Sequence, residues 1–577
     1  MDEKNLGRSW TSQTEKVARS PWYLGVDIGT TALSASLFNT GMGQHYAIAW
    51  IENTVQGQLA LAGLPSGLHS FKPYLNSAIS CFSPAPFSPA PFSPATEQRE
   101  PLMVRSPDQP IPLAQVQHRL KTLLMTLRSA DSRVRCTAEG LDDLAFQSAL
   151  QQLAGVVISQ PVGASDTYRF NIREAVLAAG LVDQPEDIFF IEEVLAALLA
   201  ELHQPSPTTA VGATVLQTPV TTPLTGGVLV FSAGATTTEL ALVQVPRETN
   251  LTRTEVQQRR FPYAGNAIDQ DIICQLIYSK VGNWDDLSLG NLDLPLPGEP
   301  DLEARYALQQ HLEGVLRGQN LLNTVRNIKP KLCRHDVEAI ADSPTALKHS
   351  DLYSWVLSPY WQQLNRELDL LLSQSGMSAD QIQRVVCTGG TGSIPAIAQW
   401  LQQKFYQAAI IQSPNITSAD FTSDRVAKGL TLLPSFPQLL DRNQHQYSDY
   451  FLLRQLLKMP VQANETLSEN QILQRLEQQG IDVVACKSTL VGFLDGQLPI
   501  GLVPSKAAVM LTAESNQTAD YQALTTVPLF SRHDRHYQLN PQQRDRLWHH
   551  LQNILAQTHQ TLEAPLSIGL EKAERIL

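Results

Sequence analysis

Twice in this chain an apolar run ends in a short turn of glycine and threonine and returns as a second apolar run. The first hairpin is Trp22 to Phe38, where the run reaches Asp27 and turns through Gly29-Thr30-Thr31. The second is Gly227 to Val245, turning through Ser232-Ala-Gly-Ala-Thr-Thr-Thr238. A glycine at a hairpin tip lets backbone N–H groups approach an anion closely, and threonine hydroxyls add donors. An aspartate at the end of a buried strand can hold a cation through water, because hard cations take oxygen ligands. Alone, such a turn is a plain hairpin. Two of them facing each other can clamp a polyphosphate in a cleft between halves.

The chain between and after the hairpins repeats one pattern, a strand meander followed by alternating helices and strands. Gln44 to Ile51 reads as the third strand of the first meander, and Val256 to Phe261 as that of the second. In the first half come an amphipathic helix over Leu113–Leu127 and a helix over Asp142–Leu153, then a buried strand at Gly155–Ser159. A helix capped by Ser165 or Asp166 runs to Ala179 and is ended by Gly180. The strand Ile188–Ile191 precedes Glu192-Glu193, which opens a helix through Leu202. Those two acids either complement the helix dipole or orient a water beside bound phosphate. The second half continues with a helix over Ala267–Tyr278, long helices to about Leu332 and over Leu352–Leu372, and a strand at Arg384–Thr388. That strand enters Gly389-Gly-Thr-Gly-Ser-Ile-Pro395 and a helix to Lys404, a glycine-rich turn that admits a flat ring or a phosphate against bare backbone. A strand at Ala409–Gln412 and a helix over Ser423–Leu433 close the repeat.

Residues 82–95 repeat Phe-Ser-Pro-Ala three times, which favours extended conformations and cannot build a core. The 577 residues carry a net charge of -12, which argues against nucleic acid or an anionic membrane as the main partner. No apolar segment is long enough to span a membrane, and the N-terminus lacks the apolar stretch of a secretory signal. Six scattered cysteines without a C-x-x-C point to reduced thiols in a cytoplasmic protein, and neither they nor the histidines show metal-ligand spacing.

Five motifs in fixed order resemble the actin-like ATPase superfamily, in the form used by the 70-kilodalton heat-shock (DnaK-like) chaperones. Asp27-Ile-Gly-Thr-Thr31 is similar to the first phosphate loop, and Val156-Val-Ile-Ser-Gln-Pro-Val162 to the strand that leads into a crossover helix. Glu192-Glu193-Val-Leu-Ala-Ala-Leu-Leu-Ala200 resembles the connecting helix that opens on a catalytic glutamate. Gly234-Ala-Thr-Thr-Thr238, with Gly265 and Asp269 after it, sits where the second phosphate loop belongs, and Gly389–Pro395 resembles the adenosine motif. The resemblance implies a duplicated ribonuclease-H-like α/β fold in two lobes. Its divisions are a flexible tail over 1–20, a first lobe over 21–204 with a Pro-rich insertion at about 76–112, and a linker over 205–225. A second lobe over 226–436 and a mainly helical C-terminal region over 437–577 complete the chain.

It further implies ATP or ADP in the cleft, with magnesium bound through water to Asp27. Gly29, Thr30, Thr31, Gly234, Thr236 and Thr237 would contact phosphates, and Glu193 would orient the attacking water. Gly389, Gly390 and Ser393 would border the adenosine, with Lys329 on the adenine-clamping helix. Several positions depart from the family. The second loop has Ser232 for an aspartate, and Ala235 and Thr236 for glycines; Arg326 and Pro330 do not match the clamp. The only lysine where the catalytic one belongs is Lys72, in Phe71-Lys-Pro73.

Beyond about Pro437 no run of short strands like the family's peptide-binding sandwich is expected. Helices are expected there over Tyr450–Leu457, from a capping box at Ser468-Glu-Asn-Gln471, and over Arg544–Thr561. Three functions are compatible with these residues, in order: a chaperone-like ATP-binding switch with slow hydrolysis and a protein client or co-chaperone; a nucleotide-stabilised scaffold with little hydrolysis; and a small-molecule kinase, for which no aspartate base is visible at the second hairpin.

Overall fold

The computed structural model describes residues 20–30, 32–50, 54–55, 58–60, 72–79, 102–106, 109–128, 134–203, 224–247, 251–278, 287, 289–339, 346–412, 424–462, 464–504, 509–512, 514–515 and 519–570. Thr31, the Phe-Ser-Pro-Ala repeat, the N-terminal tail up to residue 19 and residues 204–223 of the linker lie outside the described residues.

The protein is mixed α/β, and its two main sheets share one strand order. In the first, β1 (Trp22–Ile28) pairs antiparallel with β2 (Ala32–Asn39), which pairs antiparallel with β3 (Gln44–Trp50). On its other side β1 runs parallel to β4 (Leu153–Gln160), which runs parallel to β5 (Ile188–Glu192). In the second, β6 (Gly226–Ala233), β7 (Thr238–Val245) and β8 (Val256–Phe261) form the meander. Parallel strands β9 (Ile382–Thr388) and β10 (Ala409–Gln412) then extend it beyond β6. The parallel strands read as unbroken apolar runs, Val156-Val157-Ile158 and Val385-Val386-Cys387, because both of their faces are covered.

Four helices position the side chains between the sheets. The short α1 (Lys72–Leu75) and the crossover helix α2 (Asp166–Ala178) pack into the core of the first sheet. Ser165 caps α2 by accepting from the Tyr168 N–H, and Gly180, at φ +66°, ends it. Helix α3 (Glu193–Leu202) follows β5, and α4 (Arg425–Leu430) follows the second sheet. They lie in an apolar core shared by both sheets, with Val157 and Ile191 from one, Val230 and Val386 from the other. The two helices touch backbone to backbone. A Cβ on Gly429 would stand 1.6 Å from the Ala196 carbonyl oxygen.

The C-terminal region is mainly helical, built from α5 (Asp449–Lys458), Glu469–Glu477, Lys487–Leu494 and Pro541–Leu555. The capping box expected at Ser468 and Gln471 is formed. The region also holds a three-stranded antiparallel sheet of Thr466–Ser468, Phe530–His533 and His536–Leu539 that the sequence did not lead us to expect. Strands of three or four residues are too short to display a period of two, and their hairpin turns on Asp534 at φ +55°. The last helix stops at Leu555, not Thr561, because residues 559–560 turn to bond α2. No helix among the described residues is long and apolar enough to cross a membrane.

Candidate functional site

The two Gly/Thr bends meet. The hydroxyls of Thr30 and Thr236, 206 positions apart, lie 3.5 Å from each other. The first bend is closed by the Gly29 N–H donating to the Ala32 carbonyl at 2.9 Å, and a Cβ on Gly29 would meet that same oxygen at 2.6 Å. The second is closed by the Gly234 N–H donating to Thr237 at 3.1 Å.

Two further segments converge on the second bend. Gly265 and Asn266 donate their N–H groups to the carbonyls of Gly234 and Ala235 at 3.2 and 2.7 Å. From the glycine-rich turn, Thr391 and Gly392 donate to the Ala233 carbonyl at 2.9 and 3.0 Å, and the Thr391 hydroxyl to Gly234 at 2.7 Å. Gly389 sits at φ +82° with its Cβ position only 2.4 Å from the Ala233 carbonyl, so a side chain there is excluded. Gly390 has open space where a Cβ would be, and the Ser393 hydroxyl donates to its carbonyl at 2.8 Å. Lys329 is held by Asp269 at 2.7 Å and by the Gly265 carbonyl at 3.2 Å, so its ammonium supports the helix after the bend.

Below the first bend lies a cluster of acids. Asp27 accepts from the Ser159 hydroxyl at 2.5 Å, and that oxygen accepts from the Ile28 N–H. Burial, then the charges of Glu193 and Asp424, raise the Asp27 carboxyl to about 7 against the opposing Lys72 and Ser159. Glu193 forms a salt bridge with Lys72, their side chains 15% and 14% exposed. Burial alone would lower the Lys72 pKa, but Glu193 and other neighbours outweigh it and raise it, so this ammonium stays charged. Glu192 turns the other way and accepts two bonds from Arg253, just before β8, at 2.6 and 2.9 Å. It makes no side-chain cap to α3, so the helix start serves two ion pairs instead.

Glu239, Ser159 and Asp424 join this cluster without having been expected there. Glu239 is 1% exposed, accepts from the Val162 N–H at 3.1 Å through Oε1, and leaves Oε2 without a partner among the described residues. Burial, then Glu193, raise its carboxyl to about 8. Asp424 caps α4 and accepts from the Ser34 hydroxyl at 2.6 Å. One signal was available for Glu239: it is the lone charge in the apolar run Glu239–Val243.

A hydrated magnesium ion would take oxygen donors of the kind that Asp27 and Glu239 present. Among the described residues no group of three or more His, Cys, Asp or Glu is arranged to cage a metal. Asp27 and Glu239 Oε2 instead offer separate carboxylate oxygens, suited to an ion that keeps most of its waters.

The raised acids give the ligand-free protein a pH dependence with a definite sign. Folded Asp27 and Glu239 keep protons that the unfolded chain releases, so their contribution is full below the ordinary carboxyl pKa. It is lost as pH rises through about 7 and then about 8. Unfolding free energy from denaturant titration should therefore fall between about pH 5 and about pH 8, by up to ~1.4 kcal/mol per pH unit for each group. Glu239→Gln should flatten the upper part of that slope; an unchanged slope would show that Glu239 ionises normally.

No protein-family model matches this chain, and no curated protein matches it.

Proposed function

We propose that this protein binds ATP between two lobes of the duplicated ribonuclease-H-like, actin-like ATPase type. The observation that carries the reading is the meeting of Thr30 and Thr236 above the Asp27, Glu193, Glu239 and Lys72 cluster, at the inner ends of two sheets with the same strand order. Backbone N–H groups and hydroxyls of the two bends grip the β- and γ-phosphates, while Gly389, Gly390 and Ser393 leave a bare surface for the adenosine. Asp27 and Glu239 would hold a magnesium ion, which when bound would neutralise charge on the phosphates. Glu193 orients the attacking water, and Lys72 keeps Glu193 in place and offsets charge that develops on the transferred phosphoryl group.

Ser232 cannot replace a carboxylate, but Glu239 is its register partner on β7 and restores an acid on that side. Hydrolysis is slow in this reading, and the C-terminal region responds to closure as a chaperone-like switch acting on a protein client or co-chaperone in the cytoplasm. Ser232 is also the observation that favours the second reading, a nucleotide-stabilised scaffold with little turnover.

Calorimetric titration with ATP and ADP, with and without magnesium, tests the reading. Magnesium should tighten ATP binding in the parent, and Asp27→Asn should remove about 10–100-fold of that gain, the usual effect of losing a group that holds a metal through another ligand. Absence of any heat of ATP binding refutes the proposal. Binding without magnesium-dependent phosphate release in a single turnover selects the scaffold.

A further inference from the structure

Lys72 belongs to an eight-residue stretch, 72–79, whose neighbours 61–71 and 80–101 lie outside the described residues. Within the stretch, Asn76 bonds the Lys72 carbonyl at 2.9 Å and Ser77 the Tyr74 carbonyl at 3.0 Å, which fixes its shape but not its place. Its place is set from three parts of the chain: the core of the first sheet, where Tyr74, Leu75 and Ala78 are buried and the Tyr74 hydroxyl donates to the Arg105 carbonyl at 3.1 Å, then α2, then the C-terminal region. Asn171 of α2 donates to the carbonyls of Leu75 and Ala78 at 2.9 and 2.8 Å, and the Ser165 hydroxyl donates to Asn76 at 2.8 Å.

The third anchor comes from the C-terminal region, more than four hundred positions away. The Ile79 N–H donates to the Gly501 carbonyl at 3.0 Å, and the Ile79 side chain is buried in the core of that region, with Tyr450 and Leu502. The Ile500-Gly501 turn is itself pinned. Its Ile500 carbonyl accepts from the hydroxyls of Thr167 on α2 at 2.7 Å and Tyr450 on α5 at 2.5 Å. Gly501 holds φ +77°, and a Cβ there would meet the Thr167 side chain at 2.5 Å.

A lysine has a long, flexible stem, so its ammonium stays on one carboxylate only while its own backbone is immobile. We infer that the Ile500-Gly501 turn is a positioning element for Lys72, so that the Lys72–Glu193 pair is held most firmly while the C-terminal region is seated on α2. Resting on the ATP reading, this makes the C-terminal region a control on hydrolysis. A protein partner that lifts it from α2 loosens Lys72 and slows turnover without touching the nucleotide.

The test is the acylation rate of Lys72 in the full-length, nucleotide-free protein, followed by peptide mass spectrometry, alongside single-turnover phosphate release. Gly501→Ala should speed labelling of Lys72 by about fivefold or more, because it populates the open stretch, and should slow phosphate release. Thr167→Val with Tyr450→Phe strips both donors from the Ile500 carbonyl with little change of shape and should act the same way, and it decides the matter if Gly501→Ala fails to fold. Gly480→Ala is the control. It places the same strain, at φ +86°, in the C-terminal region with no atom within 4 Å, and should leave Lys72 as protected as in the parent. Parent-like labelling in the folded variants, or equal labelling in the control, overturns the inference. Faster labelling in a protein that never releases phosphate upholds the coupling and removes its role in hydrolysis, leaving the scaffold reading.

Discussion

Lys72→Met is expected to lower the unfolding free energy at neutral pH by about 3 kcal/mol or more, the usual cost of removing one partner from a buried ion pair. Lys72 is the cation common to the surroundings of both Asp27 and Glu239, and it is bonded to Glu193. Methionine keeps the apolar stem but leaves these acids to share one low-dielectric site. They then either stay charged and repel, or take up protons. The variant should accordingly regain stability as pH falls, and magnesium should restore part of it at neutral pH. If the protein hydrolyses ATP as proposed, single-turnover hydrolysis should drop by about 100-fold, at the low end for loss of a group that acts on the transferring charge. A denaturant midpoint equal to the parent's would mean that Lys72 does not compensate the acids.

Gly429→Ala should be as severe for a different reason. The added Cβ would stand 1.6 Å from the Ala196 carbonyl oxygen, which is backbone and cannot swing aside. On the other side of the same helix, the Cβ position of Gly25 is 2.6 Å from the Ala427 carbonyl, so α4 cannot retreat towards β1. Helices α3 and α4 must separate, at about 3–5 kcal/mol, in the range of severe core disruption. Because α3 opens on Glu192 and Glu193, the displacement also shifts both of their ion pairs. Gly390→Ala is the matched comparison: its Cβ meets nothing within 4 Å, and its thermal midpoint should stay near the parent's. If the two variants melt together, the backbones of α3 and α4 are not in contact.

Much of this architecture was legible because local chemistry and burial agree. Val256–Phe261, Pro395–Lys404 and Ala409–Gln412 lie where the sequence places them, and Ser165 and Ser468 cap the helices they were expected to cap. The facing of Thr30 and Thr236 was likewise expected from the repeated hairpin. Other features are tertiary and leave little local trace. Gly429 lies inside an ordinary helical pattern, and nothing near it announces Ala196. Lys329 was expected beside an adenine, and nothing local announced the salt bridge it makes with Asp269. For Glu192 and Glu193 the sequence offered either stabilisation of the helix start or a role beside phosphate, and gave no sign of the cations from elsewhere in the chain that both acids pair with.

Helix α2 has a further consequence for how the chain is made. Its Glu174 is 0% exposed, and the bonds it accepts come from His559 and Gln560, about 385 residues later. At a synthesis rate of roughly 10 residues per second, that acid emerges about 40 seconds before its donors exist. The nascent chain carries α2 with one side uncovered, open to any holding factor that shields it until His559 and Gln560 emerge.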